Sequence, residues 1–175
     1  MSNNPSYIYG YVKQIAFING QVLEDFHLNM MQTNFADAMK HKSVRDRYDT
    51  LILVSPYNYY FMESFVDNTD RDPSSTAQRD ALSYCIRQGN WITPFLQLPT
   101  AAQEVCIYAS YEDNPALSAN VKFYIRTLED GFWQQVQVDY PVKMPANTRN
   151  IQIKAECTYT GTIRPELYDF ALFVK

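Results

Sequence analysis

The sequence lacks several features on which common functions depend. It carries 15 Lys and Arg against 19 Asp and Glu, a net charge of −4 at pH 7. Without an excess of positive charge no surface would attract phosphates, which disfavours a nucleic-acid partner. No stretch approaches the roughly 18 apolar residues of a membrane-spanning helix, so we expect no membrane insertion. The N-terminus lacks a basic segment followed by an apolar run, so we expect no signal peptide.

Cysteine and histidine are also scarce. Cys85, Cys106 and Cys157 are odd in number and form no CxxC pair, which argues against a disulfide scaffold and a zinc site. We interpret them as free thiols in a reducing compartment. His27 and His41 lie on one predicted helix, about 21 Å apart, so they cannot share a metal or a proton within one chain.

No catalytic motif replaces them. The GxSxG, P-loop, HExxH and GxGxxG patterns are all missing. We therefore predict a protein that is not an enzyme and has no cofactor, and a hydrolase is the least favoured alternative. Asp67, Asn68, Asp70 and Asp72 offer the oxygen ligands that calcium prefers, but the glycine and the terminal Glu of an EF-hand are missing. A polar surface loop without a metal is the favoured interpretation.

What the sequence does have is a clear alternation of apolar and polar residues in its second half. Val121, Phe123 and Ile125 alternate with more polar neighbours, and the pattern recurs over residues 150–157. Side chains on a strand point to opposite faces with a period of two. About eight such segments follow residue 50, which predicts a mainly β protein, an antiparallel jelly-roll-like β-sandwich.

An amphipathic helix is predicted over residues 22–42, where the apolar period changes to three and four. Such a stripe is too short for a stable solitary helix, so it must pack on the β-domain or on neighbouring copies, and the sequence leaves both open. The stripe comprises Leu28, Met31, Phe35, Ala38 and Met39.

The predicted organisation is an arm and helix over residues 1–48, for oligomerisation or docking, and a β-sandwich domain over 49–175. Asn19-Gly20 is a turn signal that ends the arm. The finer predictions are a charged connector over 43–49, a strand over 51–54, a polar loop over 67–75 and a loop over 141–148. A further strand is predicted to carry Leu82, Tyr84 and Ile86 on one face and to end near Gly89-Asn90.

Aromatic residues make up 15% of the chain, which fits strands and contact surfaces. Sugar-binding β-sandwiches need exposed aromatic planes beside hydrogen-bonding groups. Core packing or a subunit contact is the more ordinary interpretation of each residue. The possible ligand or partner contacts are Trp133, Trp91, Tyr57, Tyr59 and Tyr60.

The combination resembles the structural proteins of tailed-bacteriophage virions. The resemblance covers roughly residues 20–175: the helix MMQTNFADAM, then WITPFLQLP, VCIYASYEDNPALSANVKFYIRTLEDGFWQQV and TRNIQIKAECTYTGTIRPELYDFALFVK. It implies helical segments that oligomerise or dock, and a sandwich that decorates or adapts. It also implies a protein made in the host bacterial cytoplasm and assembled into the virion.

We therefore expect a non-enzymatic virion component, a homo-oligomer in the neck, tail or baseplate that attaches or adapts fibres. Its partners would be copies of itself and other virion proteins. The alternative is a carbohydrate-binding module for host-surface recognition, with a glycan as its partner.

Overall fold

A computed structural model describes residues 25–80 and 82–175, with the side chains of the helix from Phe35 onward. The predicted arm, residues 1–20, and the side chains of Leu28 and Met31 lie outside the described residues. Among those described, one α-helix, α1 (Asp25–Val54), precedes nine strands, and the protein is mainly β. The strands are β1 (Tyr59–Glu63), β2 (Arg79–Asp80), β3 (Cys85–Ile86), β4 (Gly89–Ile92), β5 (Leu96–Glu112), β6 (Asn120–Arg126), β7 (Gln134–Val136), β8 (Val142–Thr158) and β9 (Glu166–Val174).

The strands form one curled antiparallel sheet in the order β2-β3-β9-β5-β8-β6-β7, with β1 also paired to β9 and β4 to β8. The two longest strands, β5 and β8, curl the sheet because each pairs with different neighbours along its length. One layer is built around β9, and a second around the C-terminal part of β8. This arrangement is compatible with the predicted jelly-roll-like sandwich.

The predicted alternation positions the core. Phe123 pairs with Ala155 and Ile125 with Ile153, and all four side chains are buried between the layers. In β9, by contrast, both faces are buried. Phe170, Leu172 and Val174 join the interior, while Ala171 and Phe173 form a second apolar cluster with α1.

The helix is longer than predicted. It continues through the predicted connector and through residues 51–54, which are its last turn and not a strand. The predicted domain boundary between residues 48 and 49 therefore falls inside the helix. An apolar run of four residues before Ser55-Pro56 fits the end of a helix as well as a strand, which explains the error.

Two further predictions are wrong in detail. Residues 82–84 form a turn, not a strand, because the Asp80 carboxylate accepts hydrogen bonds from the N–H groups of Leu82 and Ser83. Residues 142–148 belong to β8 and not to a loop. The pairing of β5 with β8 has register shifts there, and such irregular pairing accommodates Pro145.

No helix in the described part of the chain is both long and apolar enough to cross a membrane.

Candidate functional site

The inner face of α1 packs on the outer surface of the first layer. We define this face by Val44, Tyr48 and Leu51. Val44 and Tyr48 are fully buried in a cluster with Ala171 and Phe173 of β9, and Leu51 packs at its margin. Burying side chains of this size contributes about 1.5–3 kcal/mol each, so the contact fixes the helix to its own sheet.

Phe173 lies at the centre of this contact and is surrounded by tyrosines. The ring centroids of Tyr108, Tyr60, Tyr57 and Tyr48 lie 4.8, 5.3, 5.9 and 6.0 Å from that of Phe173. Aromatic pairs at these separations contribute about 0.5–1.5 kcal/mol beyond their burial. Tyr57 is buried by this packing, so it is not part of an exposed platform, and core packing, its more ordinary interpretation, describes it instead.

A buried carboxylate sets the register of the helix on the sheet. Asp169 of β9 points to α1, where it accepts a hydrogen bond of 2.8 Å from the Tyr48 hydroxyl and pairs with Arg47 and with Lys40 at 3.6 Å. Burial, and then the neighbouring Asp169 carboxylate, raises the pKa of Tyr48, so the phenol stays protonated and donates. A buried charge is costly unless it is paired in this way.

The outer face of α1 lies opposite. We define it by Phe35, Met39 and Leu53. Val44 follows Phe35, and Tyr48 follows Met39, by nine residues, about two and a half turns, so each pair lies on opposite sides of the helix. Phe35 is 67% exposed and Met39 51% exposed. Of the five residues in the predicted stripe, these two are therefore exposed and Ala38 is half-buried.

Trp91, a predicted platform residue, lies in the core with no exposed surface. Its indole Nε1–H donates to Glu63 at 3.1 Å, and its ring meets that of Phe65 edge-on at 5.0 Å. Trp91 therefore cannot contact a ligand at the surface, and core packing, the more ordinary interpretation of this residue, describes it instead. In the sequence Trp91 alternates with the polar Asn90, but this pattern alone does not indicate which side of β4 faces the interior.

Glu63 is the other buried carboxylate, and no cation pairs with it among the described residues. Its two oxygens accept the Phe65 N–H at 2.7 Å and the Trp91 indole. These hydrogen bonds lower the pKa of Glu63, but the effect of burial is larger and raises the pKa to about 8. Glu63 is therefore mostly protonated at neutral pH.

Tyr59 and Tyr60 line an open cleft of about 490 Å³ between α1 and β1. His41 and Asp70 line it too, and the Nδ1 atom of His41 lies 3.2 Å from the Ser64 hydroxyl. Burial lowers the pKa of His41 to about 4, with Arg45 adding to the effect. His41 is thus neutral at physiological pH.

The predicted polar loop over 67–75 is present. Asp67 accepts the Thr69 N–H at 2.7 Å, and Asp72 accepts the Ser74 N–H at 2.8 Å. Hydrogen bonds from Ser74 lower the pKa of Asp72. These carboxylates hold local turns, and the described residues contain no group of three or more His, Cys, Asp or Glu side chains arranged to hold a metal.

Trp133 is a predicted platform residue that lies on an outer surface beside two cationic side chains. Its ring is half-buried at the edge of the second layer. The Arg126 guanidinium lies 4.6 Å and the Lys154 ammonium 5.2 Å from its centroid. Arg126 also lies 5.4 Å from the Phe95 ring, and Lys154 lies 4.0 Å from the Tyr124 ring. We call these five residues the Trp133 surface.

Sequence reasoning missed Asp169, Glu63, Arg126 and Lys154. Asp169 and Glu63 acquire their roles from partners distant in the chain, for which a single sequence gives no signal. Arg126 and Lys154 could have been found. Both alternate with core residues of β6 and β8, which places them on the outer face.

No protein-family model matches the chain, and a search of curated proteins finds no match.

Proposed function

We propose that this protein is a non-enzymatic structural component of a tailed-phage virion that assembles as a homo-oligomer through the outer face of α1. The observation that carries the proposal is the opposition of two apolar faces on one helix. The inner face is buried on the chain's own sheet, so Phe35 and Met39 on the other side are left exposed. They offer about 1.5–3 kcal/mol each to a partner that would cover them.

The polarity of the outer face limits where the contact lies. Farther along α1 the same side carries Lys42, Asp46 and Asp49, all exposed, as is usual for a face in water. Lys42 pairs with Asp46 one turn later. These polar residues separate Phe35 and Met39 from Leu53 in the last turn, so we place the contact at Phe35 and Met39, where a second copy offers a self-complementary surface, as symmetric oligomers require.

The order of a helical segment followed by a β-sandwich supports placing the oligomer in the neck, tail or baseplate. There the sandwich would be free to attach or adapt fibres, because only α1 is used between copies. The protein should therefore be found in intact virions of the phage that encodes it.

The oligomeric state tests the proposal. Wild-type protein should elute as an oligomer in size-exclusion chromatography with light scattering, and the double variant Phe35→Asp/Met39→Asp should be a monomer because buried carboxylates would oppose the contact. Phe132→Asp is the matched control: Phe132 is 100% exposed on the β6–β7 connection, away from α1. An oligomeric double variant, or a monomeric wild type at high concentration, would contradict the proposal.

A further inference from the structure

Two cations of the second layer, Arg126 and Lys154, converge on the ring of Trp133, and neither has an ion-pair partner among the described residues. Lys40, Lys42, Arg47 and Arg87 each lie within ion-pair distance of a carboxylate, whereas Arg126 and Lys154 do not. In a chain with a net charge of −4, two adjacent unpaired cations form a local surface that favours an anion.

The two cations are held in place before any ligand binds. The Nε atom of Arg126 donates to the Gln152 side chain at 2.7 Å, and a second guanidinium nitrogen donates to the Glu129 carbonyl. Lys154 lies over the Tyr124 ring. Such pre-organisation reduces the entropy lost on binding.

Two carboxylates, those of Asp72 and Glu156, lie near this surface, and the charge of Arg126 contributes to the lowered pKa of Asp72. Asp72 is held by Ser74, and Glu156 accepts a hydrogen bond of 3.0 Å from the Tyr124 hydroxyl. Neither lies within ion-pair distance of Arg126 or Lys154. The remaining donors of the two cations are therefore available to an external carboxylate.

We propose that the Trp133 surface binds an acidic saccharide, with the sugar ring against the aromatic side chains and its carboxylate on Arg126 and Lys154. A uronic-acid unit combines an apolar C–H face with one carboxylate, and the surface combines aromatic rings with two cations. Single-stranded nucleic acid also stacks on aromatic rings, but it carries a phosphate at every nucleotide and calls for a continuous basic groove. A surface with only two cations on an acidic protein is better matched to a saccharide that carries few charges.

The probe is a hyaluronan hexasaccharide, which carries one carboxylate in every second sugar, titrated against the full chain while the Trp133 indole N–H resonance is followed by NMR. The carboxyl-reduced hexasaccharide is the matched neutral probe. We expect the acidic probe to shift this resonance saturably, and the neutral probe to bind about tenfold more weakly or worse, as the loss of charge-assisted hydrogen bonds predicts.

Variants locate the site. Trp133→Ala and Lys154→Gln should each weaken binding about tenfold or more, whereas Lys122→Gln, an exposed lysine on the same face of β6, should leave it unchanged. For Trp133→Ala, which removes the reporter, tryptophan-independent calorimetry gives the affinity, and circular dichroism confirms the fold. No shift with either hexasaccharide, equal binding of both, equal losses for Lys122→Gln and Lys154→Gln, or tighter binding of oligo-dT would overturn the proposal.

Discussion

The two faces of α1 differ in what covers them. The inner face contacts Phe173, the tyrosines that surround Phe173, and the Asp169 carboxylate. The outer face has apolar residues of similar size at Phe35 and Met39, yet they are exposed. The same kind of residue therefore serves two purposes on one helix. On one side it fixes the helix to the sheet, and on the other it is exposed.

The comparison explains why the sequence left two interpretations open. A stripe at Phe35 and Met39 and a stripe at Val44 and Tyr48 both have helical spacing, and the second was hidden in residues interpreted as a connector. Once the helix is extended to Val54, the half-turn offset between the stripes places them on opposite sides of the helix, one buried and one exposed. The two stripes are close together along one helix, yet they lie on different faces of it.

The largest expected effect is on the inner face. Tyr48→Ala should lower the free energy of unfolding by about 3–5 kcal/mol, because it leaves a cavity beside Phe173 and removes the hydroxyl from Asp169. Urea denaturation of protein at low concentration measures this. The control Tyr48→Phe keeps the ring and should cost only about 1–3 kcal/mol, for the lost hydrogen bond. If the two variants lost equal free energy of unfolding, the packing of the ring would not be the main contribution of Tyr48 to stability.

The β core was accessible from sequence because each strand carries its own signal. Ile153 and Ala155 sit where their parity predicts, opposite Ile125 and Phe123. The predicted strand over residues 82–86 failed because the side-chain hydrogen bonds of Asp80 build a turn there, and such local bonds compete with alternation. A pattern of apolar residues gives no indication of such hydrogen bonds.

The candidate sites were less accessible. The sequence identified Phe35, Met39 and Trp133 as surface candidates, but Trp91 and Tyr57 share the same residue types and are buried. Whether an aromatic residue faces the core depends on which side of its strand another element covers. That information lies in the packing of α1 and of the two layers, and not in the residues themselves.

The second prediction concerns the ionisation of Glu63, which lies near the contact between α1 and β1. His41 contacts Ser64 beside Glu63, so ionising Glu63 should weaken this region of the contact. The pKa of Glu63 is raised to about 8, so the folded protein keeps a proton that the unfolded chain has lost. Stability is therefore greatest below the ordinary Glu pKa and falls as pH rises towards 8, by at most about 1.4 kcal/mol per pH unit.

In the window from pH 6.5 to 8 the His41 of the folded protein, with its pKa lowered to about 4, is neutral. The unfolded chain loses its remaining His41 protons there, which opposes the Glu63 effect by only about 0.4 kcal/mol. Wild-type protein should lose about 2 kcal/mol of stability across the window at most. Glu63→Gln should be less stable at pH 6.5, since an amide cannot accept from both the Phe65 N–H and the Trp91 indole. It should nevertheless show a flat profile, measured by urea denaturation at each pH. A slope equal to that of wild type would assign the effect to another group.

The smallest effect on folding should come from the outer face. Phe35→Ala removes an aromatic ring that is 67% exposed, so the free energy of unfolding of the monomer should change by no more than about 0.5 kcal/mol. The same variant should weaken self-association by at least about tenfold, because the ring is then lost from a buried interface. Urea denaturation at low concentration and sedimentation equilibrium measure the two quantities on one preparation. A large loss of stability without a change in association would mean that Phe35 packs within its own chain, and the two faces of α1 would then serve one protomer.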